Sequence, residues 1–267
     1  MSAPSTPQMI KVSSAGISQY RGIFQQFEHF SNYINFAFEF LAPEIWLDHA
    51  TTPTLACFYT APAYFVWGDP DSQDVAPLFQ LFSDDGWIVP SSEKWDRHLT
   101  AHFGEKLTTY PRTSFDSASL NLAHLRSLKS ELPAGVTIVP IDETHARNQD
   151  GMLYQDLLSR FFTQVDFLQQ GAGFCLLEGE KQIGFAAANY PIRSQALEVY
   201  IRVDYNDDPI HRNKGLGTQL AVTLLEYCLE NGLDPQWDAA NEISVRLALK
   251  LGYTLHHRWK MYQYPAI

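Results

Sequence analysis

The chain has 267 residues, of which 45% are hydrophobic and 18% charged, and this composition is typical of a folded globular protein. The length favours two domains. The formal net charge of -11 at pH 7 would repel the phosphate backbone of nucleic acids, so we expect no nucleic-acid partner. An acidic surface suits a cationic, amine-bearing substrate, but many enzymes are equally acidic and the charge alone identifies none.

The cysteines indicate the redox setting of the chain. They are Cys57, Cys175 and Cys228, widely spaced and without a Cys-x-x-Cys pair. This pattern argues against a disulfide framework or a structural zinc site and predicts a reducing, cytoplasmic setting. The first residues lack the basic and apolar regions of a signal peptide. The longest apolar stretch, 34–46, contains two glutamates and a proline, so we expect no membrane span.

The first half of the chain predicts an α+β domain over 1–135. Its predicted elements are, in chain order, an aromatic-rich helix over 15–41, extended runs over 55–60, 63–69, 87–95 and 106–115, and an amphipathic helix over 120–132. Pro133 and Gly135 then close the domain. We find no catalytic signature in it, and its aromatic residues motivate the hypothesis that it forms part of a substrate groove.

The second half predicts an α/β domain over 136–267, in which strands and helices alternate. The predicted elements are a strand at 136–142, a helix at 156–170, a hairpin at 173–190, a strand at 196–204, a helix at 218–231, a strand at 235–239, a helix at 242–251 and a strand at 253–264.

A loop at 211–218, His-Arg-Asn-Lys-Gly-Leu-Gly-Thr, precedes the helix at 218–231. Its two glycines would let a ligand approach the main chain, and the N–H groups and dipole of a helix N-terminus bind phosphate oxygens. Arg212 and Lys214 add positive charge. The loop therefore suits a diphosphate, although the glycines could simply relieve crowding at the turn.

Two other nucleotide-binding loops are excluded by single residues. A dinucleotide fingerprint would require a third glycine at position 220, which is Leu220. A Walker loop would require lysine after the glycine, whereas Lys214 precedes Gly215.

Arg212-x-x-Gly215-x-Gly217 resembles the pyrophosphate loop of the GCN5-related N-acetyltransferase family. The segment 237–253 is similar to the family's Asn-x-x-Ser/Ala…Lys-x-Gly-Phe/Tyr segment, and 226–238 resembles a two-domain branch that includes zwittermicin-type resistance acetyltransferases. The resemblance implies a mixed, mostly antiparallel, splayed central sheet flanked by helices. It also implies direct transfer of acetyl from acetyl-CoA to a primary amine of a small molecule, without a metal.

The same resemblance implies the cofactor-binding residues. The phosphate loop would comprise Arg212, Asn213, Lys214, Gly215, Leu216, Gly217 and Thr218. The strand edge at Ile201, Arg202 and Val203 would pair with the pantetheine as an added strand. Asn241 would reach the pantetheine or phosphate arm, or serve only as a helix N-cap.

The strand at 196–204 alternates apolar residues with a polar row, which suggests that one face lines a cleft. Direct transfer requires a base for the amine and an acid for the departing thiolate. Glu198 is our candidate base, direct or through water, and Tyr200 our candidate acid or substrate contact. The alternative is a solvated or salt-bridged face.

One residue departs from the family pattern. Many members have an acid tyrosine seven residues after the motif asparagine, a position that is Ala248 here. Either Tyr200 or Tyr253 replaces it, or the thiolate leaves without a dedicated acid; packing is the expected role of Tyr253. The departure favours an alternative function, a binding or regulatory module with little turnover; another acyl donor or acceptor is also possible.

The histidines suggest no metal site. His98 and His102 have helical ligand spacing, but residue 99 is leucine rather than the glutamate of a protease helix. His256 and His257 lie in the last predicted strand, where we expect structural or groove-lining roles.

Overall fold

The computed structural model describes residues 8–27, 30–71, 75–82, 86–148, 151–158, 164–204 and 214–264. The strands are β1 (Ile10–Lys11), β2 (Glu44–Leu47), β3 (Leu55–Thr60), β4 (Ala63–Gly68), β5 (Gly86–Pro90), β6 (Thr108–Asp116), β7 (Val136–Pro140), β8 (Gly173–Glu178), β9 (Lys181–Ala188), β10 (Ala196–Val203), β11 (Asp234–Ala239) and β12 (Thr254–Tyr264). The α-helices are α1 (Arg21–Phe24), α2 (Ser31–Phe36), α3 (Ala76–Phe79), α4 (Lys94–Phe103), α5 (Leu122–Ser127), α6 (Glu143–Arg147), α7 (Met152–Asp156), α8 (Gln164–Gln170), α9 (Leu216–Glu230) and α10 (Glu242–Leu251).

The chain divides into two compact units. The first comprises Met1–Arg112 and Arg258–Ile267, and the second comprises Thr113–His257. The sequence placed a boundary after Gly135 because Pro133 and Gly135 end a helix there. The structure divides the chain earlier because Phe115 and Leu125 are buried in a core of the second unit. The role predicted for the first unit in substrate binding stays a prediction.

The second unit has an open mixed sheet in the order β6-β11-β10-β9-β8-β7. β10 and β11 are parallel, and the pairs β6/β11, β9/β10, β8/β9 and β7/β8 are antiparallel. The apolar residues of α9 and α10 pack on one face of this sheet. Those of α6, α7 and α8 pack on the other. The predicted mixed, mostly antiparallel sheet flanked by helices is confirmed.

The first unit repeats this topology, which the sequence did not predict. Its sheet runs β1-β2-β3-β4-β5-β12, with β4 and β5 parallel like β10 and β11. In each unit the strand beside the parallel pair belongs to the other half of the chain, because β12 pairs with β5 while β6 pairs with β11. The two halves are therefore structural repeats that exchange their last strands.

Three local predictions for the first half differ from the structure. The helix expected at 15–41 is a series of short helical segments, because Phe24, Phe27 and Phe30 all pack on rings of β3 and β4. The helix expected at 120–132 ends at Ser127. There the Gln219 side chain bonds the Leu128 carbonyl over 3.0 Å and the Ser130 N–H over 3.1 Å, holding the chain out of the helix.

The third difference is α4, which begins inside the run expected to be extended at 87–95. Trp95, Leu99 and Phe103 have helical spacing and are buried in the core of the first unit. Only the first part of the run, in β5, is a strand.

None of the helices that the structure describes is long and apolar enough to cross a membrane.

Candidate active site

The parallel strands β10 and β11 separate part-way along their length. Their register contains three pairs and ends at Glu198 and Gln236. Beyond this point residues 199–203 pair with β9, while 237–239 pair with β6. Within the described residues, the edge of β10 that faces β11 thus has no ladder partner after Glu198. An extended ligand could add to this edge by main-chain hydrogen bonds.

The start of α9 has main-chain N–H groups that no intrahelical hydrogen bond uses. Gly215 caps the helix with φ 73°, a left-handed conformation that favours glycine. Among the described residues, no atom lies within 4 Å of where a β-carbon on Gly215 would stand. The main-chain N–H of Gln219 bonds the Gly215 carbonyl over 3.0 Å, so the N–H groups of 216–218 precede the first intrahelical bond. Such groups bind phosphate oxygens.

A lysine from α10 stands beside the start of α9. The Lys250 ammonium donates to Thr218 Oγ1 over 3.2 Å, and the lysine is exposed while Thr218 is buried. The motif at 237–253 included Lys250, but the sequence indicated no role for it. The contact places a positive charge next to the predicted phosphate loop. Lys214 in the loop is also exposed, whereas Arg212 and Asn213 lie outside the described residues.

The polar row of β10 lies on the face covered by α6, α7 and α8. Tyr200 packs in the core on this face, with its ring 5.5 Å from that of Phe185. Glu198, two residues earlier, shares the face, and its Oε1 accepts a hydrogen bond from Asn189 Nδ2 over 2.9 Å. Arg202 forms an ion pair with Asp156 of α7. Glu198 thus stands where β10 and β11 part.

The opposite face of β10 is apolar. Val199, Ile201 and Val203 are only partly buried and pack against the core under α9. The start of α9 therefore lies on the side of the apolar row, and the polar row faces the other side of the sheet.

The sequence model of the GNAT acetyltransferase family matches residues 23–262, most of the chain and both units. The chain belongs to the GNAT acetyltransferase family. Members of this family transfer acyl groups, so the chain is an acyltransferase by family, and the predicted GCN5-related superfamily is confirmed.

The relatives agree with this assignment. YdfB of Bacillus subtilis (strain 168), described as an uncharacterized N-acetyltransferase, is 24% identical over 215 residues, 74% of this chain and 76% of the relative. A GCN5-related N-acetyltransferase-like protein of Streptococcus suis 89/1591 has a TM-score of 0.72 at 22% identity and covers 94% of this chain and 98% of its own. A tandem GNAT protein from the clavulanic acid biosynthesis pathway has a TM-score of 0.58 at 12% identity, covering 96% and 97%. The solved structures show the fold.

Two motif residues of this GNAT chain have structural contacts. Asn241 is the N-cap of α10 and accepts from the Ser244 N–H over 3.0 Å, so the N-cap interpretation holds while its cofactor role stays a prediction. Tyr253 is buried, its hydroxyl donates to the Pro235 carbonyl over 2.8 Å, and burial raises its pKa well above the usual range. This packing contact agrees with the expected role of Tyr253, and the acid role of Tyr200 stays a prediction.

Ala248, at the position of the usual GNAT acid, is fully buried among Val245, Leu251 and Tyr253. We therefore expect Ala248→Tyr to overpack this core, lowering stability by about 1–3 kcal/mol without raising the transfer rate. Urea denaturation would measure the stability and a thiol-release assay the rate. Ala240→Tyr, at an exposed position before α10, is the control for a surface tyrosine. A faster Ala248→Tyr enzyme of unchanged stability would contradict this expectation.

Lys250→Met should weaken coenzyme A binding by about 5-fold, because a partly screened charge beside a phosphate contributes about 1 kcal/mol. The difference from wild type should shrink in high salt. Calorimetric titration at two ionic strengths would measure both effects. Lys181→Met, at an exposed lysine that begins β9, is the matched control. Equal affinities of the two variants would remove Lys250 from the phosphate site.

The histidines that were considered as metal ligands or groove-lining residues contact other side chains. In the first unit, His98 bonds Asp71 over 2.7 Å and the His102 ring lies 4.7 Å from that of Phe79. In the second, His257 Nδ1 lies 3.2 Å from Ser114 Oγ. The described residues contain no group of three or more side chains suited to a metal ion.

The three cysteines are free and buried. Burial raises the pKa of Cys175 and of Cys228 to about 12, and that of Cys57 further. Thiols in this state are poor nucleophiles. None of the three is therefore suited to carry an acyl group.

Proposed function

We propose that this GNAT chain moves acetyl from acetyl-CoA to a primary amine of a small molecule, by direct transfer in a ternary complex. The observation that carries the proposal is the separation of β10 and β11 after Glu198, with the start of α9 on one side of the sheet and Glu198 on the other. A thioester entering between the strands would meet an amine held on the polar face.

In this proposal the cosubstrate binds along elements of the second unit. The pantetheine pairs with the edge of β10 at Ile201, Arg202 and Val203. The pyrophosphate binds the N–H groups of the loop, 213–218, with Arg212, Lys214 and Lys250 nearby. No atom of the described residues lies within 4 Å of the β-carbon position at Gly215, which supports this placement. Asn241 would contact the pantetheine or phosphate arm through the part of its amide that does not cap α10.

Glu198 takes a proton from the ammonium group of the acceptor, directly or through water, and so frees the nitrogen lone pair. The nitrogen then forms a bond to the thioester carbonyl carbon. As the intermediate collapses, the carbon–sulfur bond breaks, its electron pair goes to sulfur, and Tyr200 protonates the thiolate. The second proton of the nitrogen leaves to solvent, which reprotonates Tyr200. Glu198 also gives up its proton to solvent, so one proton is released in each cycle. The inert cysteines favour this direct route over a covalent enzyme intermediate.

A thiol-release assay against polyamines, amino acids and aminoglycosides tests the proposal, and intact-mass analysis of the product identifies the group that was transferred. Acetyl-dependent release with a gain of one acetyl group is expected. Tight acetyl-CoA binding without release towards any amine would instead favour the binding module that Ala248 suggested. A different mass gain, or acylation of a hydroxyl, would favour another donor or acceptor.

We expect one coenzyme A per chain, bound to the second unit. At the corresponding place in the first unit, after β4, Asp69 and Asp71 would repel phosphates, and Asp69 pairs with Lys94 over 2.8 Å. The following helix, α3, has only four residues. Calorimetry with the full chain should give a stoichiometry of one, abolished by a substitution in the 211–218 loop; a residual second site would contradict this.

We also propose that the protein acts in the cytoplasm, with a small-molecule amine rather than nucleic acid or a membrane as its partner. The three cysteines are buried and form no disulfide bond, which supports a reducing compartment. The net charge of -11 supports the absence of a nucleic-acid partner.

A further inference from the structure

Asn189, a residue that no sequence motif singled out, contacts the proposed base. It follows the last residue of β9 and stands opposite Glu198 in the antiparallel ladder, where its main-chain N–H donates to the Glu198 carbonyl over 2.8 Å. Directly opposed residues of such a pair have β-carbons about 5 Å apart on the same face. The side chains accordingly meet, with 2.9 Å between Asn189 Nδ2 and Glu198 Oε1.

The contact lies in a protected environment. Asn189 is 7% exposed, and Glu198 is partly buried. Both stand on the sheet face whose core contains Phe185 and Tyr200. Away from water, an amide N–H that donates to a carboxylate stabilises the charged form more strongly than at the surface. It also fixes which way the carboxylate points.

We propose that Asn189 is a positioning residue for the transfer reaction: its amide orients the Glu198 carboxylate and favours the ionised form that accepts a proton. This inference rests on the proposed function, because that function assigns the role of base to Glu198. The contact itself is independent of that role. Asn189 lies outside every sequence motif. The register of β9 and β10 places it opposite Glu198, at the point where β10 separates from β11.

Other titratable or charged groups stand on the elements that pack around Glu198. They include Tyr200 and Arg202 on β10, Asp234 and Asp238 on β11, Glu143, His145 and Arg147 on α6, Tyr154 and Asp156 on α7, and Asp166 on α8. Arg202 is paired with Asp156, and His145 with Asp142 at the start of α6. Asn189 donates a side-chain hydrogen bond to the Glu198 carboxylate from the neighbouring strand.

Isotope-edited infrared titration of the full chain tests the contact without any substrate. Carboxyl-labelled glutamate, with the spectrum of Glu198→Gln subtracted, reports Glu198 alone. We expect Asn189→Ala to raise the pKa of Glu198 by about one unit, because the donor to the charged form is lost. Asn189→Asp, which keeps the shape, should raise it further because two carboxylates then share the site. An unchanged pKa in folded variants would overturn the proposal.

The reaction supplies the second readout. The acid limb of the pH profile of kcat/KM should move to higher pH in Asn189→Ala, and in the Glu198→Gln background the same substitution should change nothing further. Asn231→Ala, at the exposed end of α9, is the matched control and should leave the limb in place. A loss of rate that is equal at every pH would identify Asn189 as merely structural and overturn the proposal.

The two hypotheses fail in different ways. If the wild-type chain acetylates no amine, the proposed function fails, while the infrared titration still decides whether Asn189 controls Glu198. If the chain is active and Glu198→Gln removes the acid limb, but neither Asn189 variant shifts it, the proposed function stands and this inference fails.

Discussion

Gly217→Trp should weaken coenzyme A binding by about 100-fold or more. Gly217 is in the first turn of α9, where the N–H groups of 216–218 point out of the helix before its first internal bond. An indole there would occupy the place proposed for the diphosphate. Losing two charge-assisted hydrogen bonds, each contributing about 1.5–3 kcal/mol, corresponds to this fall in affinity. Calorimetric titration with coenzyme A measures it.

The substitution should leave the fold intact, because tryptophan has a higher helix propensity than glycine and the position is only partly buried. Thermal unfolding followed by circular dichroism checks this. Tyr227→Trp, 37% exposed in the last turns of the same helix, is the control for an added indole and should bind normally. Unchanged affinity of a folded Gly217→Trp variant would count decisively against the phosphate site, and with it the proposed cosubstrate.

The elements around the site that the sequence predicted well are those whose ends are locally determined. The helix expected at 242–251 has these bounds in the structure. Asn241 caps its start, and Gly252 ends it with φ 103°, a conformation that favours glycine. The strand expected at 196–204 likewise appears as Ala196–Val203. Helix caps and the alternation of apolar and polar residues depend on positions only a few residues apart, so the sequence alone can predict them.

The features that sequence reasoning missed depend on residues distant in the chain. Asn189 meets Glu198 only through the register of two strands, and Lys250 reaches Thr218 only because α10 packs near the start of α9. The exchange of β6 and β12 between units is also nonlocal, since each pairs with a strand of the other half. The repeat was invisible because the first unit has acidic residues, Asp69 and Asp71, where the second has its glycine loop.

The repeat also explains why one half has the candidate chemistry. Both units have a parallel pair flanked by antiparallel strands, but in the first unit the pair β4/β5 keeps its register over four residues, from Ala63 to Val66. In the second the register ends after three, at Glu198. Among the described residues, the second unit has this earlier end of the register together with a long helix, α9, that starts at a glycine cap. These local differences are the reason that the proposed function places the site in the second unit.

Glu198→Gln should lower kcat/KM at neutral pH by about 100-fold or more, the usual contribution of a positioned base. Glutamine keeps the size of the side chain and can still accept from Asn189, but it cannot take the proton of the ammonium. As pH rises, a growing fraction of the acceptor is already a free amine and needs no base. The loss should therefore shrink at high pH, and the acid limb that reports Glu198 in the wild type should disappear.

Steady-state rates of wild type and Glu198→Gln over a range of pH, with one identified amine, would measure this difference. Glu178→Gln, at an exposed glutamate that ends β8, is the matched control and should retain the wild-type profile. Parallel profiles of wild type and Glu198→Gln would remove Glu198 from the base role. Since the free-amine fraction rises identically for both enzymes, only a lost proton acceptor makes their profiles converge at high pH.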